Sequence, residues 1–592
     1  MGCSRVVLMQ VAVFLVLILT TPIATISFRL APRSNQSYHK GKVVSLYSRF
    51  EDNSKLVADV VDVIDLRGTS LMIRLLALSL EGIVNRETPV LYVLWESKYL
   101  SPTASERWLE YYKSRGWISG YEIIDLWEAI GKYKSKLNGV VVFDPGVPAT
   151  VNLAITLAGL YDLVIAHPDL LSNLTDLGLD VKYDLRGMFS NNLDAHNWQL
   201  ENLFPYCNKS LINLFPSIWD VMIYRVSIID YVIANRACSI GLNVIWDAEL
   251  IGKYYEKMNK FAIAIGYPER AEYERPWVEL TSRYGLLNVL CTSTSPNFSF
   301  HCKMPGKKQF YQDHNFNVTL DVNKIYVAFA VSDLGLNIMQ SFYYEMWLSE
   351  GRGEIPIAWW LDPIVTDLCP GIVQYYYETK TPNDYFYSAH VGGRIRPSDF
   401  PYLEDYLRRG QRYLNRCSLK IVGYSNHNKK DSRVFELYST LLDIEGVIFG
   451  FGPEFEEECW LVNDTVWIVP RYIGSPDNAF NTIKKYINSH PHRPLFIVIG
   501  IGLWYYPKVS QVIEIKNNLE STFGDEIVIC RLDELVAAAK KYLQLYGPIN
   551  PEESRIPLVF IVGAIILIAI IAVVVTIIVI RPKSRKGKSQ NQ

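Results

Sequence analysis

The chain has 592 residues, 49% hydrophobic and 20% charged, and its 59 basic and 61 acidic side chains leave a formal charge of -2. This length exceeds what a single hydrophobic core supports, so two or three domains are expected. The near-neutral balance, with basic residues scattered outside the extreme C-terminus, excludes a nucleic-acid-binding surface.

At the N-terminus, Arg5 precedes an apolar stretch from Val6 to Leu19, with small and polar residues from Ala24 to Ser27. Residues 1–27 read as a secretory signal, the alternative being an uncleaved anchor. From Val57 to about Val181 short β-branched runs alternate with helical ones. VVDVIDLRG (60–68), PVLYVLW (89–95), NGVVVFDP (138–145) and DLVIAH (162–167) are expected strands. SLMIRLLALSLEGIVNRE (70–87) is expected as an amphipathic helix; SERWLEYYKSRG (105–116) and ATVNLAITLAGLY (149–161) are further helices. Such alternation implies a parallel sheet covered by helices, so residues 28–300 are expected to form an N-terminal parallel-sheet α/β domain. A longer helix is expected near Ile212 to Arg236.

The second region, residues 320–547, carries eight strand-like runs. They are Ile325–Val331, Ile355–Trp359, Tyr385–His390, Leu419–Tyr424, Val447–Phe451, Val466–Val469, Leu495–Ile501 and Glu526–Cys530. Helices are expected between most of them, at 400–416, 478–490 and 506–523. The pattern suggests a (β/α)8-like barrel, with an open doubly wound sheet as the alternative. After the short stalk 547–555 comes Ile556 to Ile580, an uncharged apolar run of 25 residues. It is long enough to span a bilayer core of roughly 30 Å. Arg581, Lys583, Arg585, Lys586 and Lys588 follow it, so the expected topology is single-pass in the cell membrane. The large N-terminal part would be extracellular and residues 581–592 a cytoplasmic tail.

Eight cysteines remain beyond Cys3, an even number that suits an oxidising compartment, and Cys291 with Cys302 is the favoured pair. No Cys-x-x-Cys or His/Cys ligand spacing occurs, so no metal or other cofactor is expected. Sequons at Asn35, Asn173, Asn208, Asn297, Asn317 and Asn463 would favour surface loops if glycosylated. The 38 Tyr and 14 Trp fit either core packing or sugar stacking. No P-loop, G-x-G-x-x-G or G-x-S-x-G element lies in the right strand–helix context, which excludes nucleotide-dependent and serine-hydrolase chemistry.

Blocks in a fixed order carry a family resemblance. They are VIDLRG, LLALSLEGIVNRETPVLYV and GVVVFDPGVPATVNLAITLAGLYDLVI, then VAFAVSDLGLNIMQ, EMWLSEGRGEIPIAWWLDPIVTDLCPGIVQYYY and TPNDYFYSAHVGGRIRPSDF. RPLFIVIGIGLWYYP and IVICRLDELVAAAKK close the series. Together they resemble the glycoside-hydrolase-like family named for a GxGYxYP motif, which implies an α/β protein whose partner is a glycan or polysaccharide. The naming motif is degenerate: Val391-Gly392-Gly393-Arg394-Ile395-Arg396-Pro397 keeps the second Gly and the Pro. An S-D-G-D-N-like stretch of the family stands here as Ser332-Asp333-Leu334-Gly335-Leu336-Asn337, with one acid retained.

Glycoside hydrolysis needs two carboxyl groups flanking the scissile bond, and in a barrel they follow strand carboxyl ends. Asp333, Asp362 and Glu454, the last with Glu456 in reserve, are the catalytic candidates. Asn337, Trp360, His390, Arg394, Arg396 and Trp504 are the substrate-binding candidates. Each has an ordinary alternative. Asp333 suits a helix cap and Asp362 the start of a helix. The EFEEE run at 454–458 suits a solvated loop, and one of Trp359 and Trp360 suits the core. Arg394 and Arg396 share a parity and fit either acidic sugar groups or an internal ion-pair set. Asn85 and Arg86 read as structural. Two functions compete: a glycan hydrolase, and a degenerate relative that binds glycan or serves the cell envelope without cleaving. Oligomeric state is not legible.

Overall fold

A computed structural model describes residues 56–96, 103–217, 226–290, 295–332, 342–425, 430–450, 458–505 and 507–547. Residues 1–27 and Ile556 to Ile580 lie outside these. No helix among the described residues is long and apolar enough to cross a membrane. The single-pass membrane localisation, extracellular domain included, is corrected accordingly, since no described element supports it.

The N-terminal region holds three parallel sheets instead of one. Strands β1 (Ala58–Asp65), β2 (Leu91–Leu94) and β3 (Ile118–Ile123) lie in the order β2-β1-β3. Strands β4 (Gly139–Val142), β5 (Leu163–Ala166) and β6 (Val181–Asp184) follow as β5-β4-β6. The third sheet is β10-β9-β7-β8, from β7 (Leu211–Leu214), β8 (Cys238–Ile240), β9 (Ile263–Gly266) and β10 (Leu287–Leu290). Runs such as LYVL, GVVV and LVIA are buried throughout, as parallel strands covered on both faces must be. The long helix expected near Ile212 is corrected: its described residues form β7 and, farther along, helix Ile229–Ala234, while 218–225 lie outside the described residues. A short buried apolar run has no periodicity to separate strand from helix.

Helix Leu71–Val84 is not amphipathic, because every residue from Arg74 to Val84 is buried. It packs on β5, where Ser79 Oγ accepts the Ile165 amide at 3.0 Å, and on helices Ala149–Tyr161 and Ile229–Ala234. At Gly82 a Cβ would lie 2.4 Å from the Asp230 carbonyl oxygen and 2.9 Å from Ile233 Cβ. Gly82→Ala is therefore expected to cost about 3 kcal/mol, at the upper end of overpacking, measurable by urea denaturation. Beside it Glu81 is fully buried, and neither carboxyl oxygen has a hydrogen-bond partner among the described residues. Burial, reinforced by Asp230, holds its pKa well above the ordinary value. Asp230, also fully buried, accepts the Ser299 amide at 2.7 Å, and burial pushes it up to about 7. Asn85 caps the helix and binds the Val90 and Leu91 amides, each at 3.0 Å. Arg86 pairs with Asp162 and donates to the Gly159 carbonyl at 2.7 Å, so both residues are staples.

The C-terminal sheet is built from β11 (Ile325–Ser332), β12 (Ile357–Leu361), β13 (Asp384–Ser388), β14 (Ile421–Tyr424) and β15 (Gly446–Phe449). It continues with β16 (Cys459–Val462), β17 (Thr465–Ile468), β18 (Tyr472–Gly474), β19 (Leu495–Gly502) and β20 (Ile527–Ile529). The order is β16-β17-β15-β14-β13-β12-β11-β19-β18, with β20 paired to the first half of β11. All pairs are parallel except the β16–β17 hairpin. The expected (β/α)8 barrel is thus corrected to an open, half-barrel sheet.

The reason for its opening lies at β17. Antiparallel β16 occupies the edge that a closing strand would need, held by a turn with positive φ at Asn463 and Asp464. The chain then passes from β17 to β18, which among the described residues pairs only with the far end of β19. Buried Glu458 fills the seam: its carboxylate accepts from Tyr486 Oη and, at 3.3 Å, from the Phe496 amide, and burial raises its pKa. This last acid of the EFEEE run is therefore not solvated. The sheet's inner face is covered by helix Leu532–Tyr546, whose Leu532, Leu535, Val536, Ala539 and Leu543 join Ala328, Phe496 and Val498 in one apolar cluster.

Two further expectations change. The seven described cysteines are all free, buried thiols; Cys302 donates to the Ser299 carbonyl at 3.4 Å, so the Cys291–Cys302 bridge is not formed, Cys291 itself lying outside the described residues. Asn297 is fully buried, its amide group bonded to Val93 N at 2.7 Å and Val93 O at 3.0 Å, so that sequon is not a surface acceptor.

Candidate functional site

Parallel strands deliver their loops to one edge of the sheet, and adjacent strands set those loops about 4.8 Å apart. Along β19-β11-β12-β13 this carboxyl edge carries Trp504, Ser332, Asp362 and His390 in spatial order. Ser332, the last residue of β11, is 3% exposed, and its Oγ has no hydrogen-bond partner among the described residues. Asp333 and Asn337 follow it and Glu454 follows β15; all three lie outside the described residues.

β12 alternates its two tryptophans across the sheet. Trp359 faces the outer core and donates to Asp384 Oδ1 at 2.8 Å. Trp360 faces the inner side, stacks on Tyr387 with ring centres 6.3 Å apart, and meets the His390 ring at 5.8 Å. Gly423 on β14 makes room for it, since a Cβ there would lie 3.2 Å from Trp360 Nε1 and 2.7 Å from the Ala389 carbonyl.

Asp362 leaves β12 at its carboxyl end. Its Oδ1 accepts the Gly393 amide at 3.1 Å and the Ile364 amide at 3.3 Å. The residue is partly exposed, yet its carboxyl group is enclosed by protein. Burial pushes its pKa up to about 7 against these two amides, which act to lower it. Two amide donors do not offset the loss of water around the charged form, so the acid is held near half-protonation at neutral pH. His390 is held well below its ordinary pKa by burial and by the Arg394 charge, so its imidazole is neutral. A carboxyl group poised near neutrality is chemically able to give a proton to an oxygen that reaches it.

The two arginines are committed elsewhere. Arg394 forms an ion pair with Glu274 of helix Glu274–Arg283, and its backbone bridges to Asn288 of β10 at 2.8 and 2.9 Å. Arg396 pairs with Glu279 and, at 3.2 Å, with Asp399. The degenerate naming motif thus clips the third N-terminal sheet to the C-terminal one. Arg394→Ala is expected to lower folding stability by about 3–5 kcal/mol, because Glu274 is left without its partner. Urea denaturation reads this; a changed KM at unchanged stability would instead make Arg394 a substrate ligand. Trp504 is 38% and Tyr505 58% exposed at the end of β19, an aromatic pair open to solvent. The structure thus brings Trp360 and His390 into ring contact, holds Asp362 at the end of β12 against the Gly393 amide, sets Trp504 two strands from Asp362, and turns Arg394 and Arg396 to other work. Ser332 and Tyr387 were missed from sequence; the position of Ser332, one residue before the retained acid, is the signal that was available.

Comparison with known proteins covers most of the chain. Residues 323–540 match the "GxGYxYP putative glycoside hydrolase C-terminal domain". Residues 60–135, 137–207 and 220–303 match the first, second and third N-terminal domains of the same family. These three matches follow the three small sheets, except that β7 falls between the second match and the third. A search of curated protein sequences gives no match. Among solved structures, the fold is similar to a "putative hydrolase from Bacteroides thetaiotaomicron", with TM-score 0.71, 18% identity, and coverage of 83% of this chain and 99% of that one. A "putative polysaccharide deacetylase from Mycobacterium smegmatis" aligns at TM-score 0.29 and 9% identity, over 41% of this chain and 98% of that one.

Proposed function

Because the chain belongs to the family of GxGYxYP putative glycoside hydrolases, we propose that it hydrolyses a glycosidic bond at the carboxyl edge of β11, β12 and β13. Asp362 is the proton donor to the leaving oxygen. The observation that carries this is its carboxyl group, raised to about 7 by burial at a strand end. Asp333 or Glu454 supplies the second carboxylate, as nucleophile if the two groups stand about 5–5.5 Å apart or as base to a water at about 6.5–9.5 Å. Trp504 offers a ring face to the sugar, and neutral His390 hydrogen-bonds a hydroxyl. Proton transfer and orientation need no cofactor in this scheme.

A second reading, glycan binding without cleavage, is favoured by one observation: Arg394 and Arg396, where the family motif has its tyrosines, are tied to Glu274 and Glu279. The test is to incubate the full chain with a panel of polysaccharides, reading reducing ends and retention together. Released reducing ends support hydrolysis; retention without release supports the second reading.

A further inference from the structure

Two thiols meet at the entry to the third N-terminal sheet. Cys207 follows the short helical turn Phe204–Tyr206, just before β7, and Cys238 opens β8. Asn208 N donates to the Arg236 carbonyl at 3.0 Å, and Asn208 Nδ2 donates to the Asn235 carbonyl at 3.2 Å. These bonds hold the chain after Cys207 against the turn that leads into β8. Parallel pairing of Ile212 with Cys238 then fixes the register of the two strands.

Both side chains enter one apolar cluster with Phe204, Ile212 and Tyr254. As separate small apolar side chains they would need no contact with each other. They have one: burial, and then a side-chain hydrogen-bond contact with Cys207, holds the Cys238 thiol well above its ordinary pKa. Lys209 lies beside the pair. Its Nζ donates to the Cys207 carbonyl at 2.9 Å, and its charge acts on both sulfurs. A cation next to a thiol favours the reactive thiolate. The two thiols differ in access. Cys238 is fully enclosed, whereas Cys207 is 6% exposed and follows Tyr206, which is 71% exposed.

We propose that Cys207 and Cys238 are a redox pair, joined into a disulfide by exchange with a low-molecular-weight disulfide such as oxidised glutathione. The Cys207 thiolate attacks one sulfur of glutathione disulfide, which releases one glutathione thiolate and leaves a mixed disulfide on Cys207. The Cys238 thiol then loses its proton, attacks Cys207 Sγ and releases the second glutathione thiolate. Two protein thiols give up two electrons and two protons, and one glutathione disulfide becomes two glutathiones. Side chains already in contact need little backbone movement to reach disulfide geometry. The bridge closes residues 207–238 into a loop that contains β7 and helix Ile229–Ala234. That helix packs on helices Leu71–Val84 and Ala149–Tyr161, so the bond ties the third sheet to the core of the other two. Nothing in this depends on whether the carboxyl edge cleaves or binds a glycan.

The test is peptide mapping of the full chain after incubation with oxidised glutathione or with dithiothreitol, the remaining thiols being blocked with N-ethylmaleimide in denaturant. The oxidised protein is expected to yield peptides joined through Cys207 and Cys238, and the reduced protein to yield both cysteines blocked. The thermal midpoint of the oxidised protein is expected to lie about 5 °C above that of the reduced one, because the closed loop restrains the unfolded chain. In Cys238→Ser a glutathione is expected to remain on Cys207. In Cys207→Ser the midpoint is expected to be the same in both conditions. The proposal is overturned if both cysteines of the wild-type protein are blocked after oxidation, if only other cysteines are joined, or if oxidation does not raise the midpoint. A midpoint that still responds in Cys207→Ser assigns the effect to another pair and equally overturns it. Mapping and melting of the wild-type protein decide the matter even where a variant fails to fold.

Discussion

Asp362→Asn is expected to lower kcat/KM by about 10³-fold on a glycoside with a poor leaving group, within the span of general acid catalysis. The asparagine keeps an oxygen for the Gly393 and Ile364 amides, so the loop that carries His390 stays in place and stability does not fall. For an aryl glycoside whose leaving group departs without protonation, the loss shrinks to a small factor. That split between substrates is the signature of a proton donor, and an equal loss on both would assign Asp362 another role. The pH dependence has a defined sign. Burial raises this carboxyl to about 7, so the donor is protonated below that pH and spent above it. Activity on the poor leaving group is expected to decline as pH rises through about 7.

Glu81→Gln is expected to stabilise the protein at alkaline pH and to be near neutral in acid. Glu81 and Asp230 both have folded-state pKa values raised above their ordinary ones, Asp230 to about 7. The folded state then holds protons that the unfolded chain releases. The stability this represents is fully present below the unfolded value of 3.8 for Asp230 and is lost as pH rises through about 7. A tenfold difference in proton affinity between the folded and unfolded chain is worth roughly 1.4 kcal/mol, so several kcal/mol are at stake between about pH 4 and pH 8, with Glu81 extending the loss upward. Glutamine has the shape of the protonated acid and cannot ionise. Urea denaturation across this range measures the effect; a midpoint independent of pH in the wild-type protein would show that the two acids find partners.

Much of the secondary structure was legible in the sequence, because parallel strands are short, wholly apolar and separated by patterned helices. Helices expected at 400–416, 478–490 and 506–523 are found at Leu403–Cys417, Pro476–Ser489 and Val509–Phe523. Closure of the sheet was not legible, since it depends on a single edge. The relevant signal was Asn463-Asp464 between CWLV and TVWI, a two-residue turn between β-branched and aromatic runs that announces a hairpin. Three residues separate β17 from β18, too few for the crossover that parallel neighbours require. In the candidate site, position was readable but commitment was not. Asp362 and His390 fall at strand ends as their spacing implied. That Arg394 and Arg396 serve ion pairs depends on Glu274 and Glu279, more than a hundred residues away in the chain, which no local pattern reveals.

Helix Leu532–Tyr546 follows every other described element in the chain, yet it covers the inner face of the largest sheet. Strand β11 likewise waits for β19 and β20, its partners along its first half, which emerge from the ribosome well over a hundred residues later. A nascent chain stalled or truncated before Leu532 therefore presents a bare apolar sheet to chaperones, proteases and its own kind. The three small N-terminal sheets can form as they emerge, whereas the large sheet must wait for nearly the whole of synthesis. Premature stops far downstream of Asp362 would thus be as damaging to yield as the loss of an entire domain.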